Sequence, residues 1–314
     1  MRILHNSCLV EVHENDQPVI RRELIEGARG KDGILTMLTD SVDAEIMEAL
    51  GTGLRVISNY AVGYNNIDIT EATRRGIVVT NTPGVLTETT ADLAWAAILT
   101  TARRIIEGDQ LVRTTGRVQW GPMVLLGREV HGATLGIIGM GRIGRAVARR
   151  AQGFSMTVLY HSRHPLPFDE ERHLNLTFCT LPDLLREADF VSLHVPLNTE
   201  TRHLIGEKEL RTMKSEAVLI NTSRGEVIDE KTLSLALKEG WIAAAALDVF
   251  EREPVVEPAL LQLPNAVLLP HIGSASRATR VKMAEMAALN LVNALQGKPV
   301  PHPVNPEVLK SHGN

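Results

Sequence analysis

The sequence predicts an α/β protein built from two doubly wound parallel-sheet domains. Three observations predict this class. Short apolar runs alternate with amphipathic segments along most of the chain, the pattern of strand–helix units wrapped around a parallel sheet. Aromatic residues make up only 4% while there are 24 glycines, a mixture that suits buried parallel strands joined by tight turns better than an antiparallel sandwich. A glycine-rich turn, Gly139-Met140-Gly141-Arg142-Ile143-Gly144, falls between a predicted strand and a predicted helix. The length of 314 residues fits two domains, at roughly 100–200 residues each.

Composition narrows the function classes. Hydrophobic residues at 44% and charged residues at 22% exclude wholesale disorder. A net charge of -4 argues against a protein that coats nucleic acid or an anionic membrane, while leaving a local basic patch open. The two cysteines, Cys8 and Cys179, make neither a disulfide framework nor a four-ligand zinc site, and no metal is expected. The N-terminus carries no apolar run of signal-peptide length. The longest apolar stretches, such as Leu93–Leu99 and Trp241–Leu247, are far short of the roughly 18 residues of a membrane span. The expectation is a cytoplasmic protein with no nucleic-acid or membrane partner.

In the first third, strands are predicted at Ile34–Leu38, Arg55–Ser58 and Ile77–Thr80, with helices near Asp43–Leu50 and Asp68–Arg75. A longer segment, Ala91–Ile106, is apolar nearly all round and can be capped by Thr89 and Asp92. Such a helix is buried on most sides, and is expected between domains or in a subunit interface. The rhythm restarts with strands at Thr134–Ile138, Met156–Tyr160, Phe190–Val195, Ala217–Asn221, Ala243–Asp248 and Val267–Leu269. Helices fit at Ile143–Gln152, Leu181–Glu187, Glu207–Met213 and Lys231–Glu239. A last helix over Arg277–Leu295 shows helical spacing of Val281, Ala284, Ala288, Leu291, Val292 and Leu295. The proline-rich stretch Pro299–Pro306 is expected to be extended.

The glycine turn has the form that binds a dinucleotide. Gly139 makes the tight turn, Gly141 lets backbone approach a pyrophosphate, and Gly144 lets the helix pack on the sheet. The free N–H groups of the helix N-terminus, at Arg142 and Ile143, favour the phosphates. In an NAD site an acidic residue about 20 positions on bonds the ribose hydroxyls. Here Tyr160-His161-Ser162-Arg163-His164 occupies that place, with no carboxylate before Asp169. Ser162 and Arg163, helped by His161 or His164, can bind a 2′-phosphate instead. NADP(H) is therefore the preferred cofactor, with NAD(H) possible. His194, inside a strand pattern, reads as a packed residue.

Ligands in open α/β sheets bind at the carboxyl ends of strands. Three such ends carry polar groups: Asn221-Thr222-Ser223-Arg224-Gly225, Asp248 through Glu253-Pro254, and His271-Ile272-Gly273-Ser274. Together they suit a 2-oxo acid. Arg224 offers planar donors to its carboxylate and ketone. His271 can supply a proton near neutral pH. Glu253 beside it would orient the imidazole and favour its charged form. Asp248 can accept a hydrogen bond from a nicotinamide carboxamide.

At these residues the chain resembles the D-isomer-specific 2-hydroxyacid dehydrogenases, and within them most the glyoxylate/hydroxypyruvate reductases. The similarity extends to Asn59-Tyr60-Ala61-Val62-Gly63-Tyr64-Asn65-Asn66-Ile67-Asp68, Asn81-Thr82-Pro83-Gly84 and Pro270 through Ala275. It implies Arg224, Glu253 and His271 as the catalytic residues. It implies cofactor contacts at Gly139, Gly141–Gly144, Ser162–His164, Thr222, Ser223, Asp248 and Gly273. Substrate contacts are implied at the Val62 and Gly63 N–H groups, Leu38, Arg224 and Ser274, with Gly63 able to take backbone shapes that other residues resist. The resemblance further implies a Rossmann cofactor domain, residues 99–275, inserted into a flavodoxin-like substrate domain made of 1–98 and 276–314. It implies a homodimer, with the Ala91–Ile106 helix and Trp120 at the interface, and a cleft that closes on the substrate. The activity implied is reduction of glyoxylate to glycolate and hydroxypyruvate to D-glycerate. Alternatives are a D-lactate-type, phosphoglycerate or phosphite dehydrogenase of the same family, or a dinucleotide-sensing corepressor-like binding protein.

Overall fold

The structure, a computed structural model, describes residues 1–13, 19–118 and 120–311. It divides into two compact units, Met1–Leu86 with Ser276–Asn314, and Thr87–Ala275. No helix among the described residues is long and apolar enough to cross a membrane.

The first unit holds three parallel strands, β1 (Gly33–Thr36), β2 (Val56–Asn59) and β3 (Val78–Thr80), in that order across the sheet. Side chains alternate between the faces of a strand, and both faces here are covered. Ile34, Ile57 and Val79 pack with Ile46, Met47 and Leu50 of the helix Ala44–Leu50. Val56 and Val78 pack on the other side with Leu291 of the helix Arg277–Leu295. The helices start where the sequence supplies a cap: Asp43 accepts from Ile46 N, Asp68 from Glu71 N and Ser276 from Thr279 N. The extended stretch after the last helix joins this unit, with Thr80 bridging to Pro303 and Asn305 accepting from Val79 N at 2.8 Å.

The second unit is a seven-stranded, all-parallel sheet. Its strands are β4 (Thr134–Ile138), β5 (Thr157–His161), β6 (Leu176–Phe178), β7 (Phe190–Leu193), β8 (Val218–Asn221), β9 (Ala244–Leu247) and β10 (Ala266–Leu268). The order is β10-β9-β8-β7-β4-β5-β6. Winding runs outward from β4 in both directions, so the switch point lies between β4 and β7, the crevice where a doubly wound sheet binds its ligand. Leu135, Ile137, Val191, Leu193, Leu219 and Ile220 are all buried, as strands covered on both faces require.

Several expectations change. The first domain boundary falls at 86/87 instead of 98/99, because the helix Thr87–Ala102 is part of the core of the second unit. Its small residues Ala91, Ala94 and Ala97 let it approach the helix Arg142–Ala151 and strands β8 and β9. Trp95 stacks on Phe154 with ring centroids 4.6 Å apart, and its Nε1 donates to Val147 O at 3.1 Å. The apolar face assigned to an interface is thus consumed within the unit. Thr89 and Asp92 lie inside this helix, and Asp92 pairs with Arg150 at 2.7 Å. The segment expected as one helix to Ile106 breaks at Arg104, which has φ 52°, and resumes as Ile105–Thr115. The short edge strand β6 was not anticipated.

Candidate active site

The turn after β4 opens at the switch point. Gly139 has φ +98°, and a Cβ there would lie 2.7 Å from the His194 carbonyl. Only glycine meets both demands. A Cβ on Gly144 would lie 2.2 Å from Gly139 O, so this glycine lets the helix pack against the turn. Gly141 differs: it is exposed, and its missing Cβ faces open space. It is also the N-cap of the helix Arg142–Ala151 and offers no side-chain cap. Free N–H groups, the positive end of the helix and empty space coincide there, which fits a pyrophosphate. Thr222, at the end of β8, has a buried hydroxyl with no hydrogen-bond partner among the described residues. A buried orphan of that kind fits a ligand group as its partner.

His194 sits one residue beyond β7, half-buried, and not within the strand as expected. Its Nε2 lies 2.9 Å from Ser192 Oγ. Burial pushes its pKa down to about 4, so the ring is neutral at neutral pH.

The segment after β5 is held at its base and free at its tip. The fully buried Tyr160 donates to Glu171 at 2.5 Å and accepts from Leu166 N at 2.7 Å. Burial and the Glu171 carboxylate raise its phenol to about 12. Arg145, on the helix after the glycine turn, bonds both Glu170 and Met140 O. His161 Nδ1 donates to Cys179 O at 3.0 Å. Beyond these anchors, Ser162 Oγ donates to His164 O at 2.5 Å, and Arg163 and His164 are exposed. Glu170 and Glu171 are thus already engaged within the protein, and no acid stands at the strand end.

The ends of β8, β9 and β10 build the second half. Buried Asn221 organises the turn after β8: its Oδ1 accepts from Ser223 N at 3.0 Å and Ser223 Oγ at 2.8 Å, and its Nδ2 donates to Arg224 O at 2.8 Å. Arg224 Nη1 donates to Ser223 O at 2.6 Å. Burial lowers the Arg224 pKa against the opposing pull of Glu253 and Glu226, yet a guanidinium stays charged.

Asp248, 2% exposed at the end of β9, accepts from Ile272 N and Gly273 N, each at 2.7 Å. It therefore clamps the turn after β10. Burial nonetheless pushes this carboxyl up, with the two N–H groups and His271 pulling the other way. His271 has φ 54°, a left-handed conformation that costs a non-glycine residue roughly 1–2 kcal/mol. The Asp248 clamp over-determines that backbone and so aims the ring. His271 Nδ1 lies 2.8 Å from Glu253 Oε2, and Glu253 Oε1 accepts from Phe250 N at 3.0 Å. Burial acts to raise the Glu253 pKa, but His271, the Phe250 N–H and Arg224 outweigh it and leave the carboxyl below its ordinary value. An ionised Glu253 accepting from Nδ1–H leaves Nε2 as the ring atom able to exchange a proton.

In the first unit, the ends of β1 and β2 share a polar network. Thr36 Oγ1 donates to Asn59 Oδ1 at 3.0 Å, and Asn59 Nδ2 donates to Asn66 Oδ1 at 3.1 Å. Asn59 Nδ2 also donates to Gly63 O, and Asn81 Nδ2 to Val62 O, both at 2.8 Å. These two carbonyls are pinned, while among the described residues neither the Val62 nor the Gly63 N–H donates to a protein acceptor. Gly63 does not use a left-handed backbone; the positive-φ glycines of this unit are Gly30, Gly51, Gly76, Gly84 and Gly297. Leu38 lies half-buried in the turn after β1, and Asn66 Nδ2 donates to the neighbouring Met37 O at 3.1 Å.

The family described as D-isomer specific 2-hydroxyacid dehydrogenase, NAD binding domain, matches residues 95–273. The chain belongs to this family. It is 53% identical over 303 residues to a glyoxylate reductase of Korarchaeum cryptofilum, covering 96% of this chain and 91% of that protein. A glyoxylate reductase from Paecilomyes thermophila is 37% identical with a TM-score of 0.83, over 91% of this chain and 89% of that one. An NADPH-dependent glyoxylate/hydroxypyruvate reductase from Sinorhizobium meliloti, solved with NADP and malonate, is 37% identical with a TM-score of 0.79, over 88% of this chain and 84% of that one.

Within this 2-hydroxyacid dehydrogenase, the structure brings Glu253, His271, Asp248 and Gly273 into one bonded cluster. Thr222, Ser223 and Arg224 share the turn after β8. Val62, Gly63 and Leu38 belong to the first unit, and Ser274 lies half-buried just after the Asp248-held turn. Two contributions escaped the sequence reasoning: Asn221 as organiser of the Arg224 turn, and Asp248 as a clamp on the His271 turn through the Ile272 and Gly273 N–H groups. For Asn221 a signal existed, since an Asn at a strand end readily bonds the backbone two residues on.

Proposed function

We propose that this dehydrogenase reduces small 2-oxo acids, glyoxylate and hydroxypyruvate foremost, with NADPH preferred over NADH. The observation that carries the reading is the 2.8 Å Glu253–His271 pair on a clamped turn at the strand ends of the dinucleotide-binding sheet. The names of the 53%-identical relative and of the S. meliloti enzyme support the substrate class. NADP in the latter structure, together with exposed Arg163 at the end of β5, supports the cofactor preference.

The cofactor, when bound, supplies a hydride to the ketone carbon. Gly141, the N–H groups of Arg142 and Ile143, and Thr222 would hold it, with Ser162, Arg163 and His164 toward a 2′-phosphate. Arg224 provides a planar fork for the carboxylate and ketone of the oxo acid. The Val62 and Gly63 N–H groups serve as further carboxylate donors. His271 Nε2 holds the proton that the forming alkoxide takes, and Glu253 keeps the ring in the tautomer and orientation for that transfer. Leu38 and Ser274 favour a short side chain. We also propose a homodimer, on the run of exposed apolar residues Ile105, Ile106, Val118, Trp120, Met123 and Leu126. Sedimentation velocity tests this, with a monomer as the opposing result.

Steady-state kinetics of glyoxylate, hydroxypyruvate and pyruvate, each with NADPH and NADH, test the whole reading. The expected result is the highest kcat/KM with NADPH and one of the first two acids. Equal kcat/KM for both nucleotides would remove the preference, and preferred turnover of pyruvate would move the substrate to the D-lactate type.

A further inference from the structure

One buried carboxyl lies outside this machinery. Glu230 is the first residue of the helix Glu230–Glu239, whose cap is the preceding Asp229. Its side chain is 2% exposed. Oε1 accepts from Glu251 N at 2.5 Å, and Oε2 is buried without a hydrogen-bond partner among the described residues. Burial, with Glu251 and Glu257 adding to it, pushes this carboxyl up, against the Glu251 N–H and Arg252. A carboxyl in such a place is costly to bury half-satisfied, and an aliphatic side chain would fill the space more cheaply.

What it holds explains its presence. Glu251 begins the turn that ends at Glu253, and that turn is gripped from several sides. A Cβ on Gly225 would lie 1.9 Å from Phe250 C, so the backbone following Arg224 runs directly against Phe250 and Glu251. His203 Nε2 bonds Glu251 Oε1 at 2.8 Å. Glu253 itself takes the Phe250 N–H. Glu230 supplies the remaining hold, on the Glu251 N–H.

We propose that Glu230 is a positioning residue: by fixing the Glu251 N–H it sets the Phe250–Glu253 turn, and with it the carboxylate that orients His271. The inference rests on the His271–Glu253 reading above. The charged groups facing that pair are Arg224 and Asp248, and neither is altered by the test.

The test compares Glu230→Gln, which keeps an acceptor of the same length, with Glu230→Leu, which removes it. The readouts are kcat, the KM for NADPH, and the pH at which kcat/KM for glyoxylate reduction falls off on the alkaline side. Glu230→Gln is expected within about three-fold of the parent kcat, with the alkaline limb in place. Glu230→Leu is expected to lose roughly ten-fold or more in kcat at little cost in KM, with the limb moved to lower pH because Glu253 no longer supports the imidazolium. A folded Glu230→Leu protein with the parent kcat and limb overturns the proposal, as does a Gln variant as impaired as the Leu variant. If Glu230→Leu does not fold, Glu230→Asp, one methylene too short, must shift the limb in the same direction. An unmoved limb in that variant overturns the proposal too. Parent-like activity in His271→Ala would overturn the underlying reading and the positioning role with it, whereas a parent-like Glu230→Leu overturns the positioning role alone.

Discussion

The two halves of the candidate site are built on opposite terms. At the ends of β8, β9 and β10, each group of interest is held by another: Asn221 holds the Arg224 turn, Asp248 the His271 turn, and Glu253 the imidazole. At the end of β5, the anchors Tyr160 and Arg145 secure only the base of the segment, and Arg163 and His164 reach solvent. Proton transfer and carboxylate binding demand fixed geometry, since misplacement by an ångström weakens transition-state contacts steeply. Choosing between two nucleotides that differ by one phosphate needs only a charge within reach of solvent-exposed oxygens. On the proposed reading, the chemistry rests on mutually bonded polar groups at three strand ends and the choice of cofactor on an exposed surface segment.

Substitutions in the two regions should therefore change different constants. The largest effect is expected from His271→Ala, a fall in glyoxylate kcat of roughly 10²–10⁴-fold with a modest change in KM, read by NADPH oxidation. Near-normal kcat at neutral pH would break the comparison at its centre. Arg224→Lys should follow, with kcat/KM down about 10²-fold, because one ammonium cannot reproduce a planar fork. Asp248→Asn turns an acceptor into a donor facing a backbone N–H. It should cost about 1.5–3 kcal/mol of stability for the lost charge-assisted bond, and thermal unfolding measured beside kcat should show both falling. Arg163→Ala belongs to the other region: KM for NADPH should rise about ten-fold while kcat and the NADH constants stay put. A drop in kcat with both nucleotides would show that the exposed segment is not independent of the fixed one.

The remaining expected effect is on stability against pH. His194 titrates near 4 in the folded protein, below the ordinary histidine value of 6.5. The unfolded chain binds a proton that the folded one refuses between those values, so stability is full above 6.5 and declines as pH falls toward 4. His194→Gln keeps a polar partner for Ser192 without a titration. Its Tm should therefore vary less across that window than that of the parent.

Much of this was legible in the sequence. The aliphatic strands of the large sheet announce themselves because both faces are buried, and they stop abruptly at Asn221, Asp248 and Pro270-His271. What was not legible depends on contacts between distant segments. The break at Arg104 has no glycine or proline behind it. Backbone at Gly127 and Arg128 crosses there, and Arg128 N takes the Ala102 carbonyl at 2.7 Å. β6 is three residues long with two of them exposed, too short for a period-two pattern to show. The Asp248 clamp requires β9 and β10 to be neighbours in register, Leu247 opposite Leu268. No local spacing reveals it.

The discontinuity of the first unit bears on the order in which the protein is made. Ser58 Oγ bonds Ala287 O and Val79 N bonds Asn305, across more than two hundred residues. During synthesis β1, β2 and β3 leave the ribosome long before the helix that covers Val56 and Val78 exists, whereas Thr87–Ala275 has its entire core in hand before that helix begins. The cofactor-binding unit is thus free to fold ahead of the one that precedes it in the chain, and the apolar underside of the small sheet must wait, exposed, for the last segment to arrive.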